Sequence, residues 1–338
     1  MLASRPDRSS PKKRSRRRVV LLHAAAFAAA TSPVYAASSK DYPTRPIRLI
    51  VPQPPGGGTD IVARLVAPKL SEALKQQVIV DNRAGAGGIV GSEIAARAPA
   101  DGYTLLLGYT GNLTVNPHLH RKLPYRPLQD FDPVSLAVSS PFVLAVSGTS
   151  GIENVQELIA GAKAAPEPLN YGSPGNGSLH HLAMEWLKSA TGIRLTHVPY
   201  KGSQAVTAVV AGEVTTTFVS ILNALPHVKS GRMKAIAVTS RTRSRALPDV
   251  ATVEESGITG FEAANWFGLV VPHGTDAGVV SRLSSIVAAH VRSDNVKQRL
   301  ITGGAEAIGS TPAEFRRVID AEYKRWETVV KRAGLTVD

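Results

Sequence analysis

Two glycine-rich segments are the places in this sequence where residue type and spacing could do chemistry. Pro54-Pro55-Gly56-Gly57-Gly58-Thr59-Asp60 follows the apolar run Ile47-Arg48-Leu49-Ile50-Val51, and Gly172-Ser173-Pro174-Gly175-Asn176-Gly177-Ser178 follows Leu169-Asn170-Tyr171. Each leads into helical apolar spacing, through Ile61, Val62, Leu65, Val66, Leu70 and Leu74 in the first case and Leu182, Trp186 and Leu187 in the second. A helix start exposes backbone N–H groups without partners and about half a positive charge, so it attracts anions. Glycine lets a ligand approach the backbone closely and turns successive amides inward. Charge-assisted hydrogen bonds contribute roughly 1.5–3 kcal/mol each. Four or five of them reach the ~8 kcal/mol of a micromolar ligand, so a small carboxylate could bridge two such loops without lysine or arginine. The competing reading is a pair of tight strand-to-helix turns that use glycine for steric reasons.

Sharper motifs are missing. Gly85-Ala86-Gly87-Gly88-Ile89-Val90 puts valine where a dinucleotide fingerprint needs its last glycine, and the 54–60 loop has no phosphate-binding lysine. There is no G-x-S-x-G elbow. His118 and His120 are two apart and His180 and His181 adjacent, with no obvious third ligand nearby. Asp130 and Asp132 flank Phe131 before Pro133 and read as turn formers, while Trp266 and Trp326 fall in apolar periodic patterns. The absence of cysteine excludes thiolate zinc sites, iron–sulfur clusters and thiol nucleophiles. No catalytic residue, metal ligand or cofactor is assigned.

The elements that must position these loops alternate between strand and helix. Val78-Ile79-Val80, residues 104–107, 134–138, 143–146, 195–198, 214–219, 235–238 and 266–271 read as strands. Residues 153–164, 178–190 and 205–211 read as helices, and Thr311-Pro312-Ala313-Glu314 is a capping box that opens a last amphipathic helix. This alternation predicts an α/β fold with largely parallel sheets flanked by helices. The 338 residues suggest two domains.

The charge also needs placing. Eight of the 39 Lys and Arg, but only Asp7 among the acids, lie in residues 1–36, so the rest of the chain holds +6 of the formal +13. Dispersed charge of that size gives no reason to expect a nucleic-acid partner. The basic start, the 12-residue apolar run from Val19 to Ala30 and the small-residue site Val34-Tyr35-Ala36 predict a signal peptide cleaved after Ala36. Ser15-Arg16-Arg17 also resembles a twin-arginine export signal. The expected location of the product is the periplasm.

Several segments, taken in order, carry a resemblance. Val51-Pro52-Gln53-Pro54-Pro55-Gly56-Gly57-Gly58-Thr59-Asp60, Asp81-Asn82-Arg83-Ala84-Gly85-Ala86-Gly87-Gly88, Asn170-Tyr171-Gly172-Ser173, Ser178-Leu179-His180-His181-Leu182-Ala183, His197-Val198-Pro199-Tyr200-Lys201-Gly202 and Ala237-Val238-Thr239-Ser240 resemble the Bug family. These are extracytoplasmic solute receptors of tripartite tricarboxylate transporters. The match runs from about Tyr42 to the C-terminus.

The resemblance implies a two-lobed periplasmic binding protein of type II-like fold, acting as a monomer, that closes on a small carboxylate and passes it to the membrane subunits of the transporter. It implies no cofactor and no catalysis; an enzyme or a sensory receptor for a small organic acid is the alternative. Its lobes would be 37–142 with 264–338, and 143–263, hinged near 140–145 and 260–265. The family's ligand contacts carry over onto Pro55, Gly56, Gly57, Thr59 and Asp60 in the first loop. In the second they carry over onto Ser173, Asn176, Gly177 and Ser178, with His181 and Tyr200 nearby and Thr110 and Asn112 after the 105–108 strand. Where the family reads G-x-V-D-x-x-F-D, this chain has Gly212-Glu213-Val214-Thr215-Thr216-Thr217-Phe218-Val219. Val219 in place of an acid implies a less anionic wall and a plain or aromatic carboxylate, unless it is strand core.

Overall fold

The computed structural model describes residues 42–200 and 204–336. The expected signal peptide, together with Lys201 and Gly202, lies outside the described residues. The first half of the fold runs β1 (Ile47–Val51), α1 (Gly58–Leu74), β2 (Val78–Asn82), α2 (Ile89–Ala96) and β3 (Thr104–Tyr109). A widened helical turn, Gly111–Val115, then leads through the short helices α3 (Asn116–Leu119) and α4 (Pro127–Asp130) into β4 (Phe131–Ser147). The pattern restarts with α5 (Val155–Ala164), β5 (Leu169–Ser173), α6 (Leu179–Thr191), β6 (Leu195–Pro199), α7 (Gln204–Ala211), β7 (Thr216–Ser220), α8 (Ile221–Lys229) and β8 (Met233–Val238). The chain returns through β9 (Ala264–Pro272), α9 (Ala277–Val291), α10 (Asp294–Thr302), β10 (Glu306–Ala307) and α11 (Pro312–Ala333).

The sheet order, β2-β1-β3-β9-β4-β7-β5-β6, holds the same motif twice. In each half a central strand, β1 or β5, pairs in parallel with two neighbours, β2 and β3 or β6 and β7. Each central strand ends in one of the two glycine-rich loops, so the loops occupy equivalent places where α/β sheets bind ligands. The expectation of largely parallel sheets holds only for these outer strands. β9 and β4 cross between the halves in opposite directions and pair antiparallel with each other, and with β3 and β7 respectively.

The 134–138 and 143–146 runs, read from sequence as two strands, are one strand. β4 pairs with β9 as far as Pro141 and with β7 and β8 from Phe142 and Val143 onward, so the switch between the halves falls inside it. Apolar side chains on both faces explain why it stays extended: Val134, Ala137 and Val138 enter one core, Phe142, Leu144 and Val146 a second, and Val143 and Ala145 a third.

Helices cover both faces. α1 and α9 pack on the first sheet through Val62, Val66, Leu70, Leu283 and Val287. α6 packs on the second through Leu182, Met184 and Leu187. The capping box at Thr311 and Glu314 forms as expected. α11 departs from the expected assignment of 264–338 to one lobe. Its Phe315 and Ile319 pack on the first half, whereas Trp326, Val329 and Val330 enter the second core.

Candidate binding cleft

The second loop shows how local sequence builds a site. Gly175 and Gly177 hold φ of +135° and +71°, which side chains rarely adopt, and so turn the chain sharply out of β5. Ser178 caps α6, its hydroxyl accepting from the His181 amide at 3.3 Å. The Leu182 amide reaches the Ser178 carbonyl. The amides of Leu179 and His180, the first two of the helix, have no acceptor within the helix. Both residues are half-buried and border an open space on one side.

That space is a cavity of about 620 Å³ with walls from both halves. Pro174, Gly175, Asn176, Gly177, Ser178, Leu179 and His180 form one wall. Gln53, Ala86, Gly87, Tyr109, Gly111, Val115, Asn116, Leu119 and His120 form the other, and Asn265 lies where the chain crosses between them. No lysine or arginine lines it among the described residues. Burial lowers the His180 imidazole to about 4, so it faces the cleft neutral. An anion here would be held by neutral dipoles. Val115, Leu119 and Leu179 offer a surface to a hydrocarbon part.

The opposite wall is built by a second glycine turn. Gly87 and Gly88 take φ of +62° and +91°, and the Gly87 carbonyl accepts from the Tyr109 hydroxyl at 2.6 Å and the Asn116 amide at 3.0 Å. A side chain at Gly88 would meet the Tyr109 hydroxyl at 2.8 Å, which fixes glycine there.

Several sequence-identified residues sit behind the walls. Thr59 is buried and donates to the Gln53 side-chain oxygen at 2.9 Å, so it aligns a lining residue. Asp60 is 3% exposed and accepts from the Gly56 amide, Arg64 and Asn82 at 2.9–3.0 Å. The Arg64 hydrogen bond, helped by those from Gly56 and Asn82, holds its carboxyl at about 2 against the effect of burial. That fixed negative charge already occupies the positive end of α1, whereas α6 has no acidic side chain in its first turn. Pro55 and Gly56, which are exposed, and Gly57, half-buried like Gln53, follow on the same loop and are not among the residues lining the cavity.

In the second half, Asn176, Gly177 and Ser178 line the cavity while Ser173, His181 and Tyr200 support it. The Ser173 hydroxyl lies 2.6 Å from His197 Nε2, and the Tyr200 amide donates to the Ser173 carbonyl. His181 Nδ1 accepts from the Gly177 amide at 3.1 Å, and its ring stacks on His197 at 3.9 Å. Burial, and then the neighbouring His197, lower His181 to about 4, so Nδ1 stays an acceptor at neutral pH.

The weaker candidates serve the framework. Thr110 donates to the Ala264 carbonyl and accepts from the Trp266 amide, pinning the first half to the crossing strand. Asn112 closes its own turn, accepting from the Tyr109 amide and donating to Ser92. Val219 pairs with Val143 and is buried in the third core with Val206 and Val209, away from the cavity lining. Gln53, Gly87, Leu179, His180 and Asn265 line the cavity without having been singled out. Gln53, Gly87, Leu179 and His180 lie inside segments that carry the family resemblance, whereas Asn265 carried no signal.

A model of the tripartite tricarboxylate transporter family receptor matches residues 62–335. Protein BugT of Bordetella pertussis is 38% identical over 308 residues, covering 90% of this chain and 94% of that one. The solved structure of R. palustris Rpa4515 with adipate is 37% identical with a TM-score of 0.75, covering 88% of this chain and 99% of that one. MatC from Rhodopseudomonas palustris with bound malate is 32% identical with a TM-score of 0.71, over 86% and 100% of the two chains. The chain belongs to the tripartite tricarboxylate transporter receptor family, whose members are periplasmic solute-binding proteins.

Proposed function

We propose that this protein captures a small carboxylate between its two halves and presents it to the membrane subunits of a tripartite tricarboxylate transporter, acting in the periplasm as a monomer after loss of residues 1–36. One observation carries the reading: a single cavity has a wall from each half, and one wall is formed by the start of α6. The lobes are taken as 37–142 with 264–338, and 143–263, hinged near 140–145 and 260–265, a division supported by the change of partner along β4 after Pro141. Asn176, Gly177, Ser178, Leu179 and His180 take the carboxylate. Gln53, Asn116 and Asn265 meet the ligand's other end, and Pro55, Gly56 and Gly57 reach it as the lobes approach. Closure is selected by the ligand because only the closed state presents both walls.

The ligand class rests on the cavity and not on Val219. With Val115, Leu119 and Leu179 on its surface and no aspartate or glutamate among its described lining residues to meet an ammonium group, the site favours a carboxylate with a hydrocarbon body over an amino acid. The ligands in two related structures, adipate with Rpa4515 and malate with MatC, are small dicarboxylates and fit the same picture. Thermal melting against adipate, malate, benzoate and glutamate tests it. A ligand at a hundred times its Kd adds about 2.7 kcal/mol of stability, and the expected order places adipate or benzoate above glutamate. No shift with any carboxylate overturns the receptor reading; turnover of one would favour an enzyme.

His181 gives a second test of the same wall. His181→Phe keeps a ring against His197 but removes the acceptor for the Gly177 amide, and adipate affinity should fall about tenfold in a calorimetric titration. His181→Gln, which can reach back from the same helical position, should recover most of it. Equal affinity in wild type and His181→Phe would remove this residue from the support of the site.

A further inference from the structure

α11 lies across the junction of the two halves. Its 22 residues span about 33 Å at 1.5 Å per residue. Phe315 and Ile319 are anchored in a core of the first half, and Trp326, Val329 and Val330 in the core of the second. Any swing of one half against the other must bend this helix or draw one end from its seat. Between the two anchors sits Glu322, 8% exposed, accepting from the Trp326 indole at 2.6 Å and from Arg325. Arg325 also donates to the Glu262 carbonyl at 3.1 Å and lies 3.7 Å from the Glu262 carboxylate. That carboxylate accepts from Arg241 at 2.8 Å.

Glu262 and Arg241 belong to the segments that join the halves. The Ala263 amide donates to the Thr239 carbonyl, the Thr239 amide to the Phe142 carbonyl, and the Phe142 amide to the Thr239 hydroxyl. Thr239 thereby ties the β4 switch point to the return strand, and Arg325 ties both to α11. We propose that Arg325 is a positioning residue of the hinge: shared between Glu322 on α11 and Glu262 beside the crossing strand, it sets how readily the two halves swing.

A consequence distinguishes this role from ordinary packing. Burial pushes the Glu322 carboxyl up to about 7, against the pull of Arg325 and the Trp326 hydrogen bond; Glu262 adds to the push and Arg241 opposes it. Glu306 on β10, raised by burial, and Glu314 and Arg317 on α11 line the same rear cavity of about 490 Å³. When Glu322 is neutral, Arg325 is left to Glu262 alone; when it is ionised, Arg325 is divided between two carboxylates. Glu322 therefore favours the folded state most below its unfolded value and loses that contribution as pH rises through about 7. The hinge should be held more firmly on the acid side.

The full chain without its signal peptide supplies the readout, because its three tryptophans, Trp186, Trp266 and Trp326, all lie against α11 or the crossing strand. Intrinsic fluorescence of the wild type should titrate with a midpoint near the Glu322 value of about 7, and Glu322→Gln should abolish the step. Arg325→Met keeps the aliphatic stem, and after correction for intrinsic rates the Thr239 and Ala263 amides should exchange at least about threefold faster. Lys331→Ala, on the exposed side of the same helix, should leave both readouts unchanged. No wild-type step near neutral pH, or exchange in Arg325→Met that rises equally throughout the second core, overturns the proposal.

The link from hinge to cleft rests on the receptor reading, and adipate affinity should change at least about threefold in Arg325→Met. Unchanged affinity beside faster exchange overturns that link. Failure of the wild type to bind adipate counts against the receptor reading, and the exchange result still decides the hinge.

Discussion

Leu179→Pro is expected to weaken carboxylate binding between about 10- and 150-fold while leaving the protein folded. Position 179 is the first residue of α6, where proline fits because its missing N–H has no helical acceptor to lose. Ser178 already holds φ −62° and ψ 151°, the extended conformation that a following proline imposes. The substitution thus deletes one amide from the cleft wall and little else from the backbone. A charge-assisted hydrogen bond of roughly 1.5–3 kcal/mol sets the expected range. Leu179 also packs against the second core, so Leu179→Ala separates the loss of hydrocarbon from the loss of the amide. Calorimetric titration with adipate should find the proline variant far weaker than the alanine variant, with melting temperatures close together. Equal affinities would mean that the ligand's charge is held elsewhere.

That experiment turns on a residue the sequence did not single out, and the reason is physical. Glycine, proline and helix-capping residues act locally, so the two loops and the helices after them could be read directly from spacing. Which residues of a loop meet the cavity is decided by the opposite wall, and Leu179 and His180 gain their role only because Gln53, Gly87 and Asn116 stand across from them. His181 and Ser173 were placed in the right neighbourhood by type, yet they face backward into the His197 stack. Val219 could have been wall or core; pairing with Val143 in a strand covered on both faces made it core.

The same contrast holds for the fold. Ser139-Ser140-Pro141 reads as a break, but proline at the switch between partners leaves β4 continuous, since Pro141 is the last residue paired with β9. α8 escaped notice because Pro226 lies inside it and Leu222 is exposed, which blurs its apolar period. The straddling path of α11 could not be read at all. A regular amphipathic stripe says that one face is buried, not that its two ends are buried in different cores.

Asp60 is where local sequence and tertiary placement agree most closely, and removing it should have the largest effect on stability. Asp60→Ala is expected to destabilise the protein by about 3 kcal/mol, since charge-assisted hydrogen bonds and the α1 dipole are lost together. The carboxyl, held at about 2, is ionised at neutral pH. Its folded value lies below the unfolded one, so its contribution is present above about pH 4 and is lost as pH falls toward 2. Asp60→Asn retains an acceptor for one of the Gly56 and Asn82 donors and should lose roughly half as much, with a flatter acid limb in the melting profile. The two variants also separate stability from binding. Asp60→Asn uncovers the positive end of α1 beside Gln53, so a second anion-attracting position appears across the cleft from α6. Dicarboxylates such as adipate should then gain relative to benzoate in Asp60→Asn, measured by calorimetric titration. An unchanged ratio would mean that the α1 terminus does not face the bound ligand, and it would assign the first loop a purely architectural role.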